Sequence, residues 1–397
     1  MRVLQINSVC GIGSTGRIAT DLAQVLESEG HESYIAYGRD SGVQEHVNII
    51  KIGSKIDNYL HVAKTRIFDR HGFGSKKATL AFVEEIKKLN PDVIHLHNLH
   101  GYYLNIEVLF NFLKEFNKRV IWTLHDCWAF TGHCSYFDFA DCDKWKTECH
   151  NCPQKLGYPT SVMKDESKRN FMEKKSLFTG VKNLTIVTPS QWLADLVKES
   201  FLSVYPVKVI NNGIDLNIFK PVKGNFRRKY QLKNKFMILG VASVWGTRKG
   251  LQYFIELSKG LDSDEVIVLV GLTKVQMKRL PINIIGIEKT NSVQELAEIY
   301  STADVFVNPT LEDNFPTTNL EALGTGTPVV TFSTGGSIES IDETCGIVVG
   351  KRNLSELYHE ITNIKGSTIS RDDCIERSKQ YDKNTKFKEY LKIYRDS

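Results

Sequence analysis

Residues 303–332, ADVFVNPTLEDNFPTTNLEALGTGTPVVTF, constrain the fold more than any other stretch because they read as strand, polar loop, acid-bearing helix and strand. The apolar run 304–309 has strand length, and Pro316 bars the residue before it from α geometry, so a helix can begin just after it. Asp313 and Glu321 frame the loop. The amides of Thr317, Thr318 and Asn319 are then expected to open the helix unpaired, and such a terminus attracts anions, phosphate above all. One turn into the helix, Glu321 is placed to accept hydrogen bonds from vicinal hydroxyls, and Asp313 is placed to do the same for a second ring. A phosphate between two hydroxylated rings is a nucleotide sugar. The same spacing has a plainer reading, a capping box Thr318-x-x-Glu321 in which the acid reaches back to the cap amide.

The rest of the chain repeats this alternation. In the first half come the strand VLQIN, a glycine loop at 11–16, a helix at 17–29, and strand-length runs at 93–96, 120–124, 184–187 and 207–210. In the second half FMILGVAS, VIVLVG, INIIGI, ADVFVNP, PVVTF and GIVV alternate with helical segments at 249–259, 292–302, 317–323 and 353–364. Such alternation builds a parallel sheet covered on both faces. At 397 residues the chain exceeds one ordinary core of ~100–200 residues, so two doubly wound α/β domains are expected. The turn-rich NNGID at 211–215 lies near their boundary. Phe387, Tyr390, Leu391 and Tyr394 have the spacing of a one-sided terminal helix. Ligands bind beyond the carboxyl ends of parallel strands, and Gly11, His125, Asp313 and Gly335 each follow such an end.

The net charge of +5 is spread over both halves, which argues against a nucleic-acid arm. Residues 55–77 form a basic, aromatic-studded stretch that reads either as a solvated helix and loop or as a surface for anionic lipid. No run approaches the ~18 apolar residues of a spanning helix, and the first ten residues are too short and polar for a signal peptide. The expected address is therefore cytoplasmic, where a reducing environment disfavours disulfides among the eight cysteines. Four of them, Cys134, Cys142, Cys149 and Cys152, are spaced C-x7-C-x6-C-x2-C and suit a tetrahedral structural zinc site, with His133 or His150 as a substitute for one thiolate. The alternative is four reduced free thiols. Cys10, Cys127, Cys345 and Cys374 read as ordinary buried or loop cysteines.

The tail EALGTGTPVV, together with CGIGSTGRI, TLHD, VTPSQWL, VINNGIDLNIF, RKGLQYFIE and TGGSIES in order, resembles the retaining family 4 glycosyltransferases, and the resemblance covers nearly the whole chain. HLHNLHGYYLN and HDCWAFTGHC are similar to enzymes of colanic acid and capsular polysaccharide synthesis. The resemblance implies the GT-B fold, two Rossmann-like domains facing a central cleft. The first would span 1–208 with a Cys-rich insertion at 133–153 and be completed by a helix at 383–397; the second, 209–382, would bind the donor. It further implies transfer of a sugar from a UDP- or GDP-sugar to a lipid-linked saccharide acceptor, with no metal needed for transfer. Contact with the inner face of the cytoplasmic membrane would be peripheral.

The same resemblance casts Lys249, with Arg248, as the cations for the departing diphosphate, because a family arginine is replaced by Ser243. Asp313, with Glu312 as a second claimant, would bind donor-sugar hydroxyls, and Glu321 the ribose. Asn314, Phe315, Thr317 and Thr318 would complete the donor loop. His125 matches a family histidine on the donor hexose. Gly13, Gly16 and Arg17 would face phosphate or acceptor. No protein base is assigned, since in this family the leaving phosphate is thought to take the acceptor proton. Two other readings of the same fold are a nucleotide-sugar epimerase or hydrolase and a catalytically silent carbohydrate-binding protein.

Overall fold

A computed structural model describes residues 1–42 and 48–395, so the last two residues of the predicted 383–397 segment lie outside the described residues. The chain divides into Met1–Asn211 with Lys386–Ser397, and Asn212–Thr385. Both junctions fall three residues beyond the positions expected from sequence. Ile210 N–H donates to Thr188 O at 3.0 Å and the Asn211 amide to Pro189 O at 2.9 Å, which ties these residues to the first unit. Lys383 N–H donates to Ile214 O, and its ammonium pairs with Asp215 at 2.9 Å, which keeps it in the second.

Among its described residues the first unit contains seven parallel strands: β1 (Arg2–Asn7), β2 (Glu32–Tyr37), β3 (Asn48–Lys51), β4 (Val93–Leu96), β5 (Arg119–Thr123), β6 (Leu184–Thr188) and β7 (Val207–Val209), in the order β3-β2-β1-β4-β5-β6-β7. Alternate residues of each strand serve opposite faces. Leu4, Ile94, Trp122 and Ile186 enter one core cluster. Val3, Val93, Ile121 and Val187 enter another, shared with Ile18, Leu22 and Val25 of the helix Gly13–Ser28 and with the C-terminal helix Lys383–Arg395. Phe387, Tyr390, Leu391 and Tyr394 are all buried there. Each such side chain contributes about 1.5–3 kcal/mol of burial, so the terminal helix is a structural part of this unit.

In the second unit the strands are β8 (Phe236–Val241), β9 (Glu265–Val270), β10 (Ile284–Ile287), β11 (Val305–Asn308), β12 (Val329–Phe332) and β13 (Gly346–Val349), again all parallel, in the order β10-β9-β8-β11-β12-β13. In both sheets the order reverses beside the first strand of the unit, between β1 and β4 and between β8 and β11. Loops leaving such a pair diverge to opposite faces and open a crevice at the carboxyl ends.

Candidate active site

In the second unit the loops after β8 and β11 are laced together at the switch point. Leu311 N–H donates to Arg248 O at 2.7 Å, and the Arg248 guanidinium donates to Glu312 O at 2.6 Å. Gly250, at φ 78°, lies so close that a Cβ would stand 2.2 Å from Pro309 O. The turn Gly335–Ser340 after β12 closes the third side: Gly336 N–H donates to Asp313 O at 3.1 Å, and a Cβ on Gly335, at φ 51°, would meet that oxygen at 2.0 Å.

This lacing brings the Lys249 ammonium onto the Asp313 carboxylate as an ion pair. Burial pushes Lys249 below the ordinary lysine range, against the pull of Asp313. Burial would raise Asp313, but the charges of Lys249 and then Arg248 outweigh it and leave the carboxyl below its usual range. Both cations therefore act on one acid. Ser243 is exposed on the loop after β8, and the second charge acting on Asp313 comes from Arg248.

The helix Thr317–Gly324 has Pro316 as its N-cap and no side-chain cap hydrogen bond. That excludes the capping-box reading. Glu321 is buried and accepts from Tyr300 OH at 3.1 Å. The amide of Asn319 is not among the unpaired groups expected at the helix start, because it donates to Pro316 O at 3.2 Å in a tight first turn. Thr317 and Thr318 are half-buried at that start. Asn314 is buried. The Phe315 ring, expected in the donor loop, lies in the core against Tyr381 at 5.7 Å, and its carbonyl accepts from Asn212 at 3.1 Å. Glu312 is fully buried, which leaves Asp313 the more accessible acid.

Sequence reasoning used the Asn319 amide and passed over its side chain. Its side chain accepts from Asn308 at 2.8 Å and donates to Ser337 O at 3.1 Å, joining β11, the helix and the turn after β12. A polar residue among EALG-type helical neighbours, paired with an asparagine at a strand end, was the available signal.

The corresponding crevice of the first unit gathers a histidine relay. The Gln5 amide donates to Ala19 O at 2.9 Å, so its oxygen faces His97 Nε2 at 3.0 Å. His97 Nε2 therefore carries the proton, and Nδ1 is left to accept from His125 Nε2 at 3.1 Å. In this tautomer His125 presents Nδ1 as an acceptor. Burial pushes the His125 pKa down to about 4, against the opposing effect of Asp126, so the ring is neutral at physiological pH. Asp126 pairs with His100 at 2.8 Å. His95 is internal: it meets Tyr394 OH and Thr123 Oγ1, each at 2.7 Å.

The glycine loop is shorter than its sequence suggests, because the helix begins at Gly13 and not at Arg17. Gly13 is exposed and Arg17 half-buried. Gly16 is buried where a Cβ would lie 3.2 Å from Gly11 N and from Val9. A side chain at position 16 would therefore press on the Gly11 backbone and on Val9. Ile12, the N-cap, makes no side-chain cap bond.

The four thiols Cys134, Cys142, Cys149 and Cys152 line one small cavity with His133, and all are free. Cys149 Sγ accepts from Gly132 N–H at 3.3 Å. His133 Nδ1 is held by Asp69 at 2.5 Å, and its buried Nε2 has no hydrogen-bond partner among the described residues. Soft sulfur donors and an oriented imidazole are chemically suited to zinc. Among the described residues no three such side chains converge into a ready-made metal site, so binding would have to draw the thiols inward.

Residues 15–218 match the family described as Glycosyltransferase Family 4, just over half the chain, and residues 235–365 match Glycosyl transferases group 1. The chain belongs to glycosyltransferase family 4. Over its full length it is 26% identical to the putative colanic acid biosynthesis glycosyl transferase WcaC of Escherichia coli K12, covering all of both chains. It is 30% identical over 157 residues, 36% of this chain and 40% of the relative, to the Escherichia coli UDP-Gal:alpha-D-GlcNAc-diphosphoundecaprenol alpha-1,3-galactosyltransferase. Among solved structures, sucrose-phosphate synthase from Thermosynechococcus elongatus superimposes with a TM-score of 0.74 at 18% identity, over 99% of this chain and 98% of that one. The paired doubly wound units are thus of the GT-B type, and this family 4 chain is a glycosyltransferase.

Proposed function

We propose that this family 4 enzyme moves a sugar, with retention at the anomeric carbon, from a UDP- or GDP-sugar to a lipid-linked saccharide in the synthesis of a bacterial surface polysaccharide. The observation that carries the reading is the Lys249–Asp313 pair at the β8/β11 switch point, with Arg248 acting on the same acid. The Asp313 carboxylate pairs with the Lys249 ammonium. A diphosphate would take over Lys249 and Arg248, and the released carboxylate would accept hydrogen bonds from the donor sugar. Glu321, oriented by Tyr300, would hold the ribose. His125 Nδ1 would accept from a hexose hydroxyl. As the bond from C1 to the phosphate oxygen breaks, the acceptor oxygen bonds to C1 on the same face and its proton passes to the leaving phosphate.

The lipid-linked acceptor is supported by a relative whose name specifies a diphosphoundecaprenol substrate and a UDP-Gal donor. Such an acceptor would be met at the cytoplasmic face of a membrane. The test is nucleotide release from a panel of UDP- and GDP-sugars, with and without a membrane extract carrying lipid-linked saccharides. Release that requires the extract and falls about ten- to a hundredfold in Glu321→Ala is expected, the loss of one charged hydrogen bond of ~1.5–3 kcal/mol. Donor turnover independent of acceptor would replace the reading with an epimerase or hydrolase; no turnover with any donor would replace it with a binding protein.

Structural zinc on Cys134, Cys142, Cys149 and Cys152 belongs to the same reading. The shared cavity, the Gly132 amide on Cys149 and the Asp69-held His133 support it. Its part would be to fold the insertion; no step of transfer passes through it.

A further inference from the structure

The helix Lys55–Phe68 is built inside out. Its buried positions are polar: His61 accepts from the amides of Gly72 at 3.1 Å and Gly74 at 3.3 Å, and Thr65 donates to His61 O at 2.9 Å. The apolar positions face outward, with Ile56 70% exposed, Tyr59 72% and Leu60 65%. Ala63 and Ile67 extend the same outward line. At the helical repeat, positions 56, 59, 60, 63 and 67 fall within an arc of about 100°, the width of the stripe that a surface helix normally turns to its core. Here nothing in the fold covers that stripe among the described residues.

Two further observations define what could cover it. The apolar surface continues onto the neighbouring loop, where Val162 N–H and Met163 N–H donate to Arg66 O at 2.8 and 3.3 Å and their side chains stand 60% and 70% exposed. The edges of the stripe are cationic. Lys64 lies along one flank, Lys55 and Arg66 along the other, and Lys164 stands over the Phe68 ring at 5.8 Å. The helix's one acid, Asp57, is held in its capping box with Ser54. A second copy of the chain seated here would set cationic edges against cationic edges. A bilayer carrying anionic headgroups matches both features, since the apolar side chains can enter the headgroup boundary while the flanking ammonium and guanidinium groups meet lipid phosphate.

We propose that the outward face of the helix Lys55–Phe68, continued by Val162 and Met163, docks the protein on the surface of an anionic membrane. No helix of the described residues is long and apolar enough to cross one, so the contact is interfacial. The inference rests on the proposed membrane-bound acceptor for its setting and on exposure and charge for the surface it names.

The test is co-sedimentation of the full chain with phosphatidylcholine vesicles that contain or lack phosphatidylglycerol. Binding to the anionic vesicles, weakened by added salt, is expected. Tyr59→Gln with Leu60→Gln removes two exposed apolar groups and should weaken binding about tenfold or more. Lys55→Gln with Arg66→Gln should weaken binding to the anionic vesicles by roughly tenfold or more, at about fivefold for each charge. None of the four residues is part of the candidate donor site, so donor-induced thermal stabilisation should be unchanged in both variants. A chain that stays in the supernatant with every vesicle overturns the proposal. So does a variant pair that sediments like the parent, or a salt-resistant dimer that the Gln variants dissociate.

Discussion

The Lys249–Asp313 pair can be separated into a folding role and a donor-binding role. Its side chains are 21% and 14% exposed, between the limits of a surface pair, worth ~0–1 kcal/mol, and a fully buried one, where removing a partner costs ~3–5 kcal/mol. Lys249→Met and Asp313→Leu should each therefore destabilise by about 2 kcal/mol, because each leaves one charge in a largely dry setting. The double variant leaves no orphaned charge and should lose only about 1 kcal/mol, a coupling of roughly 3 kcal/mol. Denaturant unfolding measures this cycle. In the parent, a UDP- or GDP-sugar at a hundred times its Kd should add ~2.7 kcal/mol, read as a thermal shift. The double variant should regain most of its stability and none of that shift. If it recovers the donor-induced shift and the turnover as well as the stability, the pair is scaffolding, and the placement of the diphosphate on Lys249 is wrong.

Three further outcomes are expected. Gly335→Ala places a Cβ 2.0 Å from Asp313 O at a positive φ, and should cost ~1–3 kcal/mol and abolish the donor-induced shift, whereas Gly366→Ala, with open space around it, should do neither. His61 (held to about 3), His125 (to about 4), His71, His95 and His97 all have pKa values lowered by burial. Their stabilising contribution is complete above the unfolded value near 6.5 and is lost as pH falls toward the folded values; the unfolding free energy should drop between pH 7 and 5, by ~2 kcal/mol for a single fully buried histidine, and a flat profile would refute their burial as neutral rings. Purified protein should carry about one zinc per chain by elemental analysis, lost in Cys149→Ala with Cys152→Ala; metal-free protein with the same unfolding midpoint would refute the structural site.

The strands that later hold the site were legible because they are buried on both faces and so appear as unbroken apolar runs. Strands β2 and β3 were not, and for β3 the reason is positional. Strand β3 is an edge with three of its four residues exposed, so Asn48–Lys51 need not be uniformly apolar. The start of the first helix was misplaced for a related reason. Residues 13–16, GSTG, look like loop by propensity, but the close approach of Gly16 to Val9 and Gly11 lets the helix begin at Gly13.

The site itself was legible in its ends and not in its connections. Asp313 and Lys249 are 64 residues apart, and nothing local to either says that they pair. What could be read was that Asp313 follows a strand end and that Lys249 opens a helical segment; the order β8-β11 supplies the contact. Glu321 was harder, because a helix start and a ligand-binding acid require the same residue type at the same spacing. Sequence cannot separate them, since a capping box is satisfied within four residues. The deciding atom is the Tyr300 hydroxyl, 21 positions away on the preceding helix, which takes the carboxylate out of reach of the cap and fixes it in the interior. An acid that the fold buries and orients, while a proline opens its helix with no side-chain cap, has been placed for something other than capping.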